Sequence, residues 1–268
     1  MLLQNIECPN CRTYHDPALE KCPTCHKENE LYALNRLPKR VLFLNPIAQL
    51  SLFIAGFAFA GMFLTDLLVD IFLVQLFATD TASFDAASLF AKYIVMFIGL
   101  LLIVLLTRRK LFFDKLKNPT DYLYGVLYAV SLFVVSLLIS MLINVFTEVN
   151  DNTNQSNALN VVKNYPIIAG SIICFIGPVC EELTYRVGLY SFLRRINKYA
   201  AFAVTTIVFA LIHFDFYAED MFTELLSLPS YIACGFLLTL AYEHNGPACS
   251  ILAHMIYNTY AFVVMVMK

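Results

Sequence analysis

Charge is scarce in this chain. Lys, Arg, Asp and Glu make up 14% of the 268 residues, where a soluble domain carries roughly 25%. The formal net charge is −2, so the chain lacks the basic surplus that would point to nucleic acid as a partner. The N-terminus also lacks the short basic-then-apolar pattern of a signal peptide; a Cys-rich polar segment stands there instead. No internal repeat of the kind many transporters carry is visible, which disfavours a proton-coupled transporter. Nor does the chain contain His-Glu-x-x-His, the pair that announces a helix-borne catalytic zinc.

What is abundant is apolar. Hydrophobic residues form 59% of the chain, and the mean hydropathy is +0.68. The runs Ile47–Leu64, Leu89–Leu106, Tyr122–Phe146, Ile167–Phe192 and Tyr199–Phe214 are each expected to be long enough to cross the ~30 Å hydrocarbon layer at 1.5 Å per residue. Two further spans are expected at about Pro229–Tyr242 and, after the Asn245-Gly246-Pro247 turn, Ala248–Met267. The expectation is an all-α bundle of about seven membrane spans with the lipid bilayer as its solvent. The first span is expected to run from Pro46 past Leu64 towards Phe77, with Asp66 and Asp70 marking its interfacial end. Asn150–Asn164 has the polar, turn-forming composition of a water-exposed loop.

Basic residues cluster at Arg36, Lys39 and Arg40, again from Arg108 to Lys117, and again at Arg194, Arg195 and Lys198. The alternate connections are acidic or neutral, apart from Lys92 and Lys163. The positive-inside rule then puts the N-terminus in the cytoplasm, and the plasma membrane of a bacterium is the expected location.

Residues 1–35 form a polar head ahead of the membrane region 36–268. It carries Cys8, Cys11, Cys22 and Cys25 as two Cys-Pro-x-Cys knuckles ten residues apart. Paired thiolates at this spacing suit one tetrahedral zinc, in the manner of a zinc ribbon, and metal binding would supply the folding energy of so small a unit. A disulfide or redox motif fits less well in a reducing compartment. Such heads are structural or recruit a cytoplasmic protein partner. Cys174, Cys180, Cys234 and Cys249 stand singly in apolar spans and are read as small hydrophobes.

Three polar clusters interrupt the lipid-like helices: Glu181-Glu182-x-x-x-Arg186, His213, and His254-x-x-x-Asn258. Ionisable groups at this depth are costly unless paired or facing a wet cavity, so they mark a candidate functional site. Glu182 and Arg186 are four apart and share a helix face, which favours a structural ion pair. Glu181 is turned by about 100° from Glu182 and is left to act on water. Pro178 should disturb the local helix and release backbone carbonyls. At 1.5 Å per residue, Glu181 and His213 lie about 20 Å from the basic ends of their spans, and His254 and Asn258 about 10 and 17 Å into theirs. Taken singly, an intramembrane His is more often an interhelical hydrogen-bond partner, and a Glu–Arg pair is more often structural. Together they offer a general base and an oxyanion site: a water between Glu181 and His213, and a tetrahedral oxyanion held by His254 and Asn258.

These motifs resemble those of the CPBP family of intramembrane proteases, which includes CAAX prenyl endopeptidases and bacteriocin-processing or Abi proteins. They read here Glu181-Glu182-Leu-Thr-Tyr-Arg186, Phe209-Ala-Leu-Ile-His213 and His254-Met-Ile-Tyr-Asn258, in family order, over about residues 165–265. The resemblance implies a helical endopeptidase acting on a small membrane-associated peptide or protein. It assigns Glu181 and His213 to water activation and His254 and Asn258 to the oxyanion, with a glutamic-type mechanism favoured over a catalytic metal. Where the family often has Gly directly after the motif Arg, this chain has Val187 and then Gly188. A membrane scaffold or regulator with a partner-binding ribbon is the competing reading.

Overall fold

The computed structural model describes residues 6–15, 19, 21–29, 43–60, 81–145 and 151–267. Asp66 and Asp70, the far end of the first expected span, and Arg36, Lys39 and Arg40 lie outside the described residues.

The head contains the antiparallel pair β1 (Ile6–Glu7) and β2 (Tyr14–His15), with Ile6 opposite His15 and Glu7 opposite Tyr14. Its two knuckles repeat one geometry. Arg12 N–H donates to Cys8 O at 2.8 Å and His26 N–H to Cys22 O at 2.9 Å. Both Arg12 and His26 take positive φ, 57° and 56°, the left-handed step by which each knuckle turns back.

All other described elements are helical: α1 (Pro46–Ala60), α2 (Thr81–Lys115), α3 (Pro119–Asn144), α4 (Thr153–Asn164), α5 (Pro166–Arg194), α6 (Lys198–Leu211), α7 (Met221–Asn245) and α8 (Pro247–Met267). Their starts follow from side chains that satisfy otherwise orphaned first-turn N–H groups. Asn118 accepts from Thr120 N–H, Asn197 from Tyr199 and Ala200 N–H, and Asp220 from Thr223 N–H. Gly246 (φ 81°) makes the sharp turn between α7 and α8.

Among the described residues, five helices are long and apolar enough to cross a membrane: Ala86–Thr107 within α2, and α3, α5, α7 and α8. The apolar stretches Pro46–Ala58 and Lys198–Leu211 are shorter. Length and composition alone therefore stop short of seven crossings among the described residues. Two expectations need correction. The Asn-rich stretch is mostly helix α4, because Asn152 and Gln155 form a reciprocal capping box. The sixth apolar helix starts at Met221, not Pro229; Pro229 is carried inside it.

Helix α5 is central. It packs against α1, α2, α6, α7 and α8, and contains π-helical stretches at Ile172–Ile176 and Glu182–Tyr190. The first has a direct cause. Pro178 has no N–H, and its ring would crowd the carbonyl four residues back. Gly177 N–H bonds Ile172 O, five residues back, which shifts the register just before the proline. Every residue from Glu182 to Tyr190 is buried.

Gly188 permits a close backbone approach to this stretch. A Cβ there would sit 2.8 Å from Phe53 N and 3.1 Å from Gln49 O, so α1 lies backbone-close on the motif helix. Below this contact, Arg195 donates to Gln49 Oε1 at 2.8 Å and to Leu44 O at 2.7 Å, tying the end of α5 to the start of α1.

Candidate active site

The site is built on α5, α6 with its following turn, α7 and α8. Arg186 is its anchor and is fully buried. Its NH1 donates to Glu182 Oε1 at 2.9 Å, its NH2 donates to Gly235 O on α7 at 3.1 Å, and its guanidinium lies 4.3 Å over the Phe209 ring. A buried charge needs this many partners. Gly235 matters because a Cβ there would come within 3.1 Å of the Phe209 ring and 3.2 Å of Thr206 O.

Glu182 Oε1 also accepts from His254 Nδ1 at 3.0 Å. One carboxylate oxygen thus joins α5 to α8, and because a carboxylate accepts, His254 Nδ1 carries a proton. The opposite ring atom, His254 Nε2, faces Glu181 Oε2 at 3.8 Å. That is too long for a direct hydrogen bond, yet an oxygen about 2.8 Å from both atoms completes a triangle between them. The two adjacent glutamates differ sharply: Glu182 is 0% exposed and Glu181 18%. Glu181 Oε2 has no hydrogen-bond partner among the described residues.

His213 lies in the turn just past the end of α6, not within the helix. Its Nδ1 pairs with Phe209 O at 2.8 Å. A carbonyl only accepts, so the neutral ring keeps a free lone pair on Nε2. His213 is in Coulombic range of Glu181, His254 and Arg186. Phe209 is the shared hub, its ring centroid 4.9 Å from His213, 6.1 Å from His254 and 5.7 Å from Tyr185. Asn258 lies one turn beyond His254 and donates through Nδ2 to Ile173 O at 3.2 Å, inside the first π-helical stretch. An amide nitrogen has two hydrogens, so one donor remains.

The structure thus draws Glu181, Glu182, Arg186 and His254 into direct or near contact, with His213 beside them through Phe209 and Asn258 one turn away. Sequence reading missed Tyr185, Gly235, Glu224 and Tyr231. Tyr185 sits within the first motif, wholly buried, and its hydroxyl has no partner among the described residues. Glu224 and Tyr231 lie seven apart on one face of α7, a spacing visible in the sequence once that helix is known to start at Met221.

In the head, the four thiol sulfurs of Cys8, Cys11, Cys22 and Cys25 lie within 4.8 Å of one another. The pairs Cys8–Cys25 and Cys11–Cys22 are 3.6 and 3.5 Å apart. Those separations suit a tetrahedron of about 2.3 Å metal–sulfur bonds, whose edge is about 3.8 Å. Donation from the Asn10 side chain and the Lys27 backbone draws the Cys25 thiol down to about 6. The Cys25 backbone N–H, ahead of that of Thr24, lowers Cys22. Both effects favour the thiolate, the form that binds metal. The four cysteines could hold one metal ion.

The chain is 25% identical over 134 residues to UPF0177 protein YvdC of Lactococcus lactis subsp. lactis (strain IL1403), covering 50% of this chain and 49% of that relative. The chain therefore spans about half the length of this curated relative. No solved structure gives a significant match. Residues 163–260, the stretch that contains Glu181, His213, His254 and Asn258, match the family of Rce1-like type II CAAX prenyl endopeptidases, bearing out the family resemblance and supporting an intramembrane protease of the CAAX type.

Proposed function

We propose that the chain is an intramembrane endopeptidase in which Glu181, with His213, activates a water that attacks a peptide carbonyl. Asn258, and His254 when Nε2 as well as Nδ1 carries a proton, then hold the tetrahedral oxyanion. The observation that carries this reading is the unequal state of the two adjacent glutamates. Glu182 is fully buried with its Oε1 spent on both Arg186 and His254, whereas Glu181 is partly exposed, makes no ion pair with Arg186, and its Oε2, unpartnered like Glu182 Oε2, lies 3.8 Å from His254 Nε2. A substrate or water oxygen bridging that gap would be touched by a base on one side and an imidazole on the other. The Nε2 lone pair of His213 can take a proton, and the second amide hydrogen of Asn258 can donate to an oxyanion.

A glutamic rather than metal-dependent mechanism is favoured. Its support is that the sequence lacks His-Glu-x-x-His. In the head, residues 1–35, Cys8, Cys11, Cys22 and Cys25 would bind one structural zinc that closes the two knuckles. The membrane domain is 36–268, with the N-terminus in the cytoplasm of a bacterial cell and the ribbon open to a cytoplasmic partner.

The substrate is a small peptide or protein in or at the membrane. Comparing peptides that accumulate uncleaved in wild-type and Glu181→Ala cells tests this. The same species should build up in Glu181→Ala and His213→Ala cells. Normal processing in Glu181→Ala cells, with expression and folding unchanged, would refute the role of Glu181.

A further inference from the structure

His213 is held from the side by a residue that also reaches a different part of the molecule. The imidazole stacks on the Tyr231 ring, with centroids 4.6 Å apart and planes 19° from parallel. The Tyr231 hydroxyl accepts from Asn154 Nδ2 at 3.1 Å and Asn152 Nδ2 at 3.4 Å, both at the start of α4. Two turns earlier on the same face of α7, the buried Glu224 makes a parallel link. Its Oε1 accepts from Thr153 N–H at 2.8 Å and its Oε2 from Asp215 N–H at 3.3 Å. Ser227, between them on that face, accepts from Asn152 Nδ2 at 2.9 Å. One face of α7 therefore grips both the first turn of α4 and the segment that carries His213.

The consequence for His213 follows from its shape. The ring turns about a broad terminal torsion, and among the described residues three contacts bear on its angle: the Nδ1 bond to Phe209 O, the tilted Phe209 ring and the Tyr231 stack. A tilt of the ring changes where Nε2 points. Gln155 and Leu159 of α4, with Asp151 just before it and Ser136, Tyr257 and Tyr260, also line a cavity of about 540 Å³. The seat of α4 is thus joined to that cavity on one side and to His213 on the other.

We infer that Tyr231 is a positioning residue for His213, its ring fixing the imidazole and its hydroxyl making that orientation depend on how α4 is seated. The inference rests on the proposed role of His213 as partner of Glu181. It assigns separate duties to the two parts of Tyr231, and these can be separated by substitution.

The test uses the full-length protein in detergent, assayed for kcat and KM on an internally quenched farnesylated peptide. Tyr231→Leu should lower kcat on the order of 10- to 100-fold with KM little changed, since misorienting a reacting group acts on the chemical step. Tyr231→Phe, which keeps the ring, should restore most of that loss. Asn154→Ala and Tyr231→Phe break the same bond, so their small effects should not add. In protein labelled at histidine rings, Asn154→Ala should also move the His213 signal, a readout that stands even where Tyr231→Leu fails to fold. Wild-type kcat in Tyr231→Leu, equal losses in the Leu and Phe variants, or an unmoved His213 signal in Asn154→Ala would overturn the inference. His213→Ala cleaving at the wild-type rate would instead sink the underlying assignment of His213.

Discussion

Two buried ion clusters on α5 make an instructive contrast. At its end, Arg194 grips Glu243 of α7 through Nε and NH2, at 3.1 and 3.0 Å to Oε1. Tyr190 donates to Glu243 Oε2 at 2.8 Å, and Lys198 lies 3.7 Å from Oε1. Both carboxylate oxygens are engaged. Two to three turns earlier, the motif cluster is left open. Glu181 Oε2, Glu182 Oε2, Tyr185 Oη and Arg186 Nε are four of the seven buried polar atoms without a hydrogen-bond partner among the described residues. Leaving such atoms unpaired is costly in the low-dielectric interior. A closed cluster is what structure requires; an open one is what a site that must bind and react requires.

The contrast predicts that the two clusters fail differently. Arg186→Met strands Glu182 as an uncompensated buried charge and should cost about 3–5 kcal/mol, read as a large drop in thermal stability. It should also unseat Phe209, the ring that both histidines pack against. A stable Arg186→Met protein would show that the motif ion pair is not the anchor described. Arg194→Ala should destabilise by less, about 1–3 kcal/mol, because Lys198 and Tyr190 remain on Glu243. The folded fraction should cleave normally. Loss of cleavage out of proportion to stability would erase the distinction between the two ends.

A smaller effect is expected from the head. Chelation, or Cys11→Ala, should remove bound metal and unfold the knuckles while the membrane helices keep their thermal transition. Metal content by elemental analysis together with circular dichroism checks this. A collapse of the helical bundle on chelation would mean the two regions are one folding unit.

Much of the fold was legible because hydrophobic runs and basic flanks are local signals. Pro178 foretold the disturbed register of α5, and Glu182–Arg186 foretold the structural pair, since both act within one turn. The helix in the Asn-rich stretch was masked by polar composition, although Asn152 and Gln155 had the spacing of a capping box. Glu243 and Tyr231 were out of reach for a different reason. Their partners Arg194 and Asn152 are 49 and 79 residues away in sequence, so only tertiary packing brings them together. Arg194 itself was read as a flanking charge, yet it is buried against Glu243. His213 was expected within a helix and lies just past its end, where the Phe209 carbonyl is free to orient it.

The most direct measurement compares Glu181→Gln and Glu182→Gln in purified protein, scoring thermal stability and peptide cleavage for each. Glu181→Gln should fold with wild-type stability and lose on the order of 10²- to 10⁴-fold in cleavage, the range of a lost general base. Glu182→Gln should lose stability first, because Arg186 and His254 both depend on its charge. Cleavage that persists in Glu181→Gln, or a Glu182→Gln protein that is stable but inactive, would contradict the division of labour between these two neighbours.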